Sequence, residues 1–394
     1  MEIIRAYRYR LYPTPEQNAR LTGWQNALRY LWNTALEQYQ SVARRPKWSR
    51  HGYPSFYSQC KELTEIRAEL PFLADVPVQL CQRAIQDLET AWKRCWKGGG
   101  EVGAPKFKSK NRGDTVAMRT ALSFALECPS EGNPGFLKFP KLGKIEAAVY
   151  RPMTGKPLLA SLNLEVGEEW WVSIPCRQEI PDPPINTKPV VAIDRGVVNI
   201  LADSNGRLVV NPRHARGDAP KIRRLQRKLR KQMSGSLNQR RNKNAIAKLH
   251  RRVRRKRDHI LQAESAWYAN NHSVIIVEKL GVRGMMKSAK GTVEEPGTNV
   301  RQKAGLNRAL ADSGMTRFVT LLRYKTIPKA ASVREVWPQY SSQTCSKCGH
   351  VSAENRLSQD KFKCVSCGHE ENADTNASKV LLSRGFSGEA GSGG

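Results

Sequence analysis

Long apolar runs are missing from this 394-residue chain. No stretch of 18 consecutive apolar residues occurs, which argues against a membrane-spanning helix and a membrane partner. The first residues, with Glu2, Arg5, Arg8 and Arg10 set among Ile3, Ile4, Tyr7 and Tyr9, form no hydrophobic signal segment. The expectation is a cytoplasmic, nucleoid-associated prokaryotic protein. Acids are scarce: 35 Asp and Glu face 66 Lys and Arg, a net charge of +31. Solvated surfaces mix both signs, whereas an excess of this size repels itself until a polyanion binds, so nucleic acid is the expected partner. The seven histidines include no His-x-His pair, which excludes strand transfer by such a metal pair acting with a nucleophilic tyrosine. Five cysteines (Cys60, Cys81, Cys95, Cys128, Cys176) are scattered singly and read as reduced core or surface thiols, not as a disulfide framework.

The other four cysteines are grouped. Cys345, Cys348, Cys364 and Cys367 make a C-x2-C-x15-C-x2-C set. Each pair supplies two thiolates from one tight turn, and the intervening loop lets the two turns face each other, as tetrahedral Zn²⁺ requires. Gly349 and Gly368 follow the second cysteine of each pair, where the turn favours positive φ. Redox pairs of the C-x-x-C kind are a weaker reading, because no thioredoxin-like or secreted context accompanies them.

The length suffices for two or three domains with real cores. Residues 3–11 alternate, with Tyr7, Tyr9 and Leu11 on one face and Arg8 and Arg10 on the other, as in a half-buried strand whose basic outer face makes Arg8 and Arg10 expected nucleic-acid contacts. Thr14-Pro15-Glu16-Gln17 reads as a capping box with proline at the first helical position. A stripe of Leu21, Trp24, Leu28, Leu31 and Ala35 follows. A second helical stripe (Leu80, Ala84, Leu88, Ala91, Cys95) ends at Gly98-Gly99-Gly100. From about 103 to 175 short strands are expected, at Phe136–Pro140, Leu162–Val166 and, after Gly167, Trp170–Ile174. With the opening strand they would close a small β-barrel that carries the helices, about 14–100, as an insertion. The basic segment Ala104-Pro105-Lys106-Phe107-Lys108-Ser109-Lys110 suits phosphate contact by Lys106 and Lys108 with stacking on Phe107. Four prolines between 177 and 189 mark a linker, centred on 181–189.

Beyond it, Val190–Asp194 reads as a buried strand ending in a carboxylate. Val197–Ala202, an Asn205-Gly206 turn and Leu208–Val210 read as a hairpin. Residues 221–257 hold seventeen Lys or Arg and no acid, with Ile222, Leu225, Leu229, Ile246 and Leu249 at helical spacing. They predict a basic helical hairpin within 219–270, with Arg223, Arg227, Arg252 and Arg255 as phosphate contacts. Val274–Glu278 is a second buried strand ending in an acid. One helix is expected over 301–324, with Leu306, Leu310, Phe318 and Leu321 inside, then a strand at Ser332–Trp337. The zinc ribbon would occupy 341–371, a final helix 372–383 and a flexible tail 384–394.

Two apolar strands thus deliver Asp194 and Glu278 at their C-terminal ends, and Asp374 opens the last helix. Singly, Asp194 could start a turn, Glu278 could pair an arginine and Asp374 could cap its helix. Together, in this order beside a basic hairpin, they point to an RNase H-like nuclease core over 190–340 whose carboxylates hold Mg²⁺ or Mn²⁺ for phosphodiester hydrolysis. Asp203, the competing acid, lies beside the Asn205-Gly206 turn and is expected to shape it. A guide-independent junction resolvase would account for that core but not for the N-terminal barrel, the helices or the ribbon.

Several segments resemble a known family. Ile193-Asp194-Arg195-Gly196-Val197, Ile276–Met285, Gln343–His350 and Asp374-Thr375-Asn376-Ala377 look like the RuvC-like nuclease of TnpB proteins and of compact type V CRISPR effectors. Tyr9–Gln17 and Pro105–Lys110 resemble that family's N-terminal half, so the likeness spans nearly the whole chain. It implies a fold of α/β class plus a small β-barrel: an RNase H-like (RuvC) nuclease domain with an inserted basic hairpin and zinc ribbon, preceded over 1–180 by a barrel-like wedge domain with inserted helices. It implies an RNA-guided DNA endonuclease with guide RNA and target DNA as partners and protein contacts to a short flanking DNA motif. Asp194, Glu278 and Asp374 would be its catalytic, magnesium-binding acids and the four cysteines its zinc ligands. A length near 400 residues favours the transposon-associated form over a CRISPR effector, and the intact acid set argues against a nuclease-inactive DNA-binding form. The chain departs from the family pattern at Arg195 and Ser378, where relatives carry an apolar residue and alanine.

Overall fold

The computed structural model describes all residues except 47–48, 50–51, 99–101, 110–116, 121–123, 130–133, 166–168, 293 and 388–394. The expectations at Gly99, Gly100, Lys110, Val166, Gly167 and most of the tail fall outside the described residues. The chain divides into two compact units, Met1–Ile180 and Pro181–Gly394. Among the described residues no helix is long and apolar enough to cross a membrane.

The first unit opens with β1 (Glu2–Tyr12) and α1 (Pro15–Arg44). Thr14 caps α1: its Oγ1 accepts from Gln17 N at 3.2 Å, and Gln17 Oε1 accepts from Thr14 N at 3.0 Å. The Gln17 amide also donates to the carbonyls of Leu142 and Lys144, which pins the helix start to a β-turn far away in sequence. Two helices that the stripes did not reveal follow, α2 (Phe56–Glu69) and the short α3 (Pro71–Ala74), and then α4 (Val78–Lys97). In α4 it is Trp92 that is buried, whereas Ala91 and Cys95 are half-buried.

The strands are β2 (Met118–Thr120), β3 (Ala125–Glu127), β4 (Gly135–Phe139), β5 (Gly143–Ala148), β6 (Lys156–Pro157), β7 (Ala160–Glu165) and β8 (Glu169–Glu179). They pair antiparallel in the order β2-β7-β8-β1-β5-β4-β3, with β6 on β8. Among the described residues no ladder joins β2 to β3, and the strands thus form an open path, without the closing ladder that the barrel reading expects. Tyr7, Tyr9 and Leu11 of β1 pack with Leu137, Ile145, Leu162, Val172 and Ile174 against Leu21, Trp24 and Leu28 of α1 and Leu80 and Ala84 of α4, forming one core.

The second unit is built on β9 (Val191–Asp194), β10 (Asn199–Asp203), β11 (Leu208–Val210), α5 (His214–Arg230), α6 (Leu237–Asn271), β12 (Val274–Glu278), α7 (Val282–Met285), α8 (Val300–Ser313), α9 (Met315–Thr326), β13 (Ser332–Val336), β14 (Lys361–Lys363), β15 (Glu370–Asn372) and α10 (Ala373–Phe386). The sheet order is β11-β10-β9-β12-β13, with β9, β12 and β13 parallel and β10 and β11 antiparallel. The single helix expected over 301–324 is instead two. Gly314 separates them at φ +68, and a Cβ there would meet Leu261 Cδ1 at 2.6 Å, so the break needs glycine twice over. The turn also leaves Leu306 exposed.

Strand alternation sorts the sheet's two faces. Val191, Ile193, Ile275 and Val277 pack with Leu261 and Tyr268 of α6 and Phe318, Leu321 and Leu322 of α9. Ala192, Ile276 and Val336 point the other way and pack with Leu381 of α10. By the same parity Asp194 and Glu278 belong to the α10 face.

Candidate active site and nucleic-acid interface

Because β9 and β12 run parallel with Ile193 opposite Val277, Asp194 and Glu278 leave the sheet side by side at its carboxyl edge. Their carboxyl groups share a hydrogen bond. The third acid arrives from α10. Asn372, not Asp374, caps that helix, its Oδ1 accepting from Asp374 N at 3.0 Å and Thr375 N at 3.2 Å. The Asp374 carboxylate is thereby spared a capping role. Its Oδ2 accepts from Asn199 Nδ2 at 3.0 Å, and its Oδ1 lies 3.6 Å from the Arg356 guanidinium.

Crowding shows in the protonation of the acids. Burial raises the Asp194 pKa, and the Asp374 charge adds to it, while the hydrogen bond with Glu278 and the charge of Arg356 oppose it. Glu278, 6% exposed, is pushed up to about 9, first by burial and then by the charge of Asp194. Three hard carboxylate donors with more negative charge than their neighbours offset fit a divalent cation, which would take the place of the retained proton.

Arg195, buried beside Asp194, turns its guanidinium to backbone: it donates to Met315 O at 3.1 Å and to Glu278 O. Asp203, fully buried, accepts from Asn205 N and Arg207 N through Oδ1, each at 2.9 Å, and from the Tyr268 hydroxyl at 3.0 Å through Oδ2. Those contacts occupy it as a turn-former.

In the ribbon, the Sγ atoms of Cys345, Cys348, Cys364 and Cys367 lie within 4.8 Å of one another. The Cys345–Cys367 and Cys348–Cys364 sulfur pairs are 3.7 and 3.6 Å apart. Four thiolates around Zn²⁺ with bonds of about 2.3 Å have tetrahedral edges of about 3.8 Å, so the set fits that ion. The two turns are built alike. Gly349 N and Gly368 N each donate to the first cysteine's carbonyl at 2.9 Å, at φ +78 and +71. Burial opposes ionisation of Cys364, but backbone N–H groups of Cys367 and Ser366 and the Cys348 and Cys367 thiols bring its pKa down to about 6. A metal-ligating sulfur needs that thiolate form.

The ribbon is tied to the third acid. Asn376, with no exposed surface, accepts from Ser346 N at 2.9 Å and donates to Thr344 O at 2.8 Å, gripping the chain on both sides of Cys345. It lies two residues beyond Asp374 on α10. Asn199 and Arg356 carried no signal in the sequence, and Asn376 stood there only within the Asp374–Ala377 segment, with no role assigned to it. Nothing marks a polar residue whose partner is distant in the chain.

The eight basic candidates stand in different settings. Arg8 pairs with Glu165 at 2.6 Å and lies over Trp171, and Arg10 pairs with Glu169 at 3.1 Å. Arg252 of α6 is bonded to Asp218 of α5, whose carboxyl it holds below the usual range, so it clamps the hairpin. Arg223, Arg227 and Arg255 are exposed on that hairpin. The Lys106–Lys108 loop is held on α1: Trp32 Nε1 donates to Lys106 O at 3.2 Å, and the Asn33 amide bridges Lys108 N and O. Phe107 stays 42% exposed.

Three family models match the chain: one described as a probable transposase (OrfB_IS605) over residues 173–289, one as a Cas12f1-like TNB domain over 316–381, and one as a helix-turn-helix domain over 1–45, where the structure holds β1 and the single long helix α1. The chain is 32% identical over 387 residues to "Putative RNA-guided DNA endonuclease InsQ" of Escherichia coli (strain K12), covering 98% of this chain and 93% of that one. It is 26% identical over 394 residues to "Putative RNA-guided DNA endonuclease" of Streptomyces pristinaespiralis, covering 99% and 91%. Among solved structures, a "Cas12f1-sgRNA-target DNA complex" aligns over 96% of this chain and 98% of that one, with a TM-score of 0.53 at 13% identity, a likeness of fold alone.

Proposed function

Since this chain belongs to the TnpB family of RNA-guided DNA endonucleases, we propose that it is itself one, cutting target DNA at Asp194, Glu278 and Asp374 under the direction of a bound guide RNA. The observation that carries the reading is the convergence of those three carboxylates, with burial and mutual repulsion raising the proton affinity of Asp194 and Glu278. Such a site is poised for divalent cations. Mg²⁺ or Mn²⁺ held there would supply an activated water and neutralise the charge that develops on the leaving oxygen.

The chain's own residues orient the acids. Asn199 fixes the Asp374 carboxylate by donating to Oδ2, and Arg195 anchors the Glu278 backbone to the start of α9. Arg356, beside Asp374, is in reach of a phosphate brought to the acids and would offset its charge. The exposed arginines of the α5–α6 hairpin and the Lys106–Lys108 loop would carry the guide and target backbones, with base pairing to the guide supplying most of the sequence recognition and protein contacts reading a short flanking motif. A transposon-associated role is favoured by the match of residues 173–289 to a family model described as a probable transposase. The reading is tested by purifying the protein from its host. A discrete co-purifying RNA, and cleavage of DNA matching it only with Mg²⁺ or Mn²⁺, is expected. Cleavage indifferent to the RNA would overturn it.

A further inference from the structure

Past Glu278 and Val336, which are register partners on β12 and β13, the two strands continue into Lys279 and Trp337. Lys279 N donates to Val336 O at 2.7 Å, so the strands are still held together where they leave the sheet. There the Trp337 indole is 40% exposed, with the Lys279 ammonium 4.2 Å from the ring centroid. Three residues on, Tyr340 is 65% exposed and sits at φ +55, a left-handed conformation uncommon for a non-glycine residue and costly to hold. Its carbonyl nonetheless has firm partners, accepting from Gln343 N and Thr344 N at 2.9 Å and from Thr344 Oγ1 at 2.7 Å. Arg384 of α10 clamps the same turn by donating to Trp337 O at 3.0 Å and Gln339 O at 2.7 Å.

Two large rings are thus left partly in solvent on a hydrogen-bonded, partly strained backbone, Trp337 one residue past the register partner of Glu278 and Tyr340 three residues further, ahead of the first cysteine turn. Burying them fully would have stabilised the fold by the usual hydrophobic gain, yet both remain among the exposed large side chains. We propose that Trp337 and Tyr340 form a stacking platform for unpaired bases of the DNA strand that enters or leaves the three acids, with Lys279 meeting the adjoining phosphate. This rests on the endonuclease reading above and adds which side chains meet the strand beside the acids. Charge supports that occupant: a chain of net charge +31 with an ammonium against the ring favours a polyanion with flat apolar faces over an apolar peptide.

The test uses the full-length protein with its guide RNA, Mg²⁺ and a guide-matched target carrying one abasic position at a time around the cut. Cleavage of the unmodified target by the unaltered protein checks the endonuclease reading by itself. The platform predicts that one or two abasic positions slow single-turnover cleavage roughly tenfold in that protein. Trp337→Ala should lose a similar factor on the intact target and become indifferent to those same abasic positions, while Trp337→Phe, which keeps a ring, should recover most of the rate. Tyr340→Asn removes the second ring while tolerating positive φ and should shift the sensitivity at one neighbouring position. A flat abasic profile in the unaltered protein needs no variant to fold and would overturn the proposal. So would undiminished abasic sensitivity in Trp337→Ala.

Discussion

Asn376 offers a sharp test of how the zinc ribbon and the third acid depend on each other. Replacing it by alanine removes both of its hydrogen bonds, to Ser346 N and Thr344 O, and nothing else near at hand replaces the amide on a side chain with no exposed surface. Each bond contributes about 1 kcal/mol net, so the ribbon's grip on α10 weakens by roughly 2 kcal/mol, a factor of about 30 in the docked population. The four sulfurs are untouched, and bound zinc should stay at one ion per chain by metal analysis. Asp374, two residues away, should lose its placement, and single-turnover cleavage should drop by up to about 30-fold. Ser378→Ala is the control: Ser378 is equally buried on the same helix, but its hydroxyl donates to Thr375 O within α10 and does not reach the ribbon. If Asn376→Ala cuts at the unaltered rate with zinc retained, the ribbon does not position the acid.

Cys364→Ser should cost the ribbon its zinc and its fold, since structural zinc contributes on the order of 10 kcal/mol of coupled folding energy; metal analysis should find no bound ion and cleavage should be lost, and a zinc-free variant of full activity would show the ribbon to be dispensable. Arg223→Gln and Arg227→Gln should each flatten the slope of log affinity against log salt by about 0.7–0.9 with target preference unchanged, and an unaltered slope would take the hairpin off the nucleic acid. Tyr268→Phe removes the hydroxyl that donates to Asp203 and should lower the unfolding free energy by about 1.5–3 kcal/mol while cleavage by the folded protein persists. Loss of cleavage at intact stability would make Asp203 part of the chemistry.

What the sequence made legible is what local rules govern. The Thr14–Gln17 capping box, the apolar strands ending at Asp194 and Glu278, and the paired cysteine turns each write their geometry within a few residues. What escaped it depends on partners distant in the chain. Arg8 and Arg10 read as a free basic face, yet β7 and β8 bring Glu165 and Glu169 to them across the sheet. Arg252 read as a phosphate ligand and is bonded to Asp218 of the neighbouring helix. The unbroken apolar stripe over 301–324 hid the turn at Gly314, because periodicity counts side chains and not the space left by Leu261. Asn199, Arg356 and Asn376 gain their roles only when α10, the ribbon and β10 meet.

The most direct test of RNA-guided cleavage at the three acids is plasmid cutting by the guide-loaded protein and its Glu278→Gln form in Mg²⁺. The unaltered protein should linearise only plasmids that carry the guide's match beside the right flanking motif. Glu278→Gln, which keeps the side chain's shape but cannot ionise to hold a cation, should bind the same plasmid with unchanged guide and leave it uncut. Cutting by Glu278→Gln at the unaltered rate, or cutting by the unaltered protein stripped of RNA, would contradict the account.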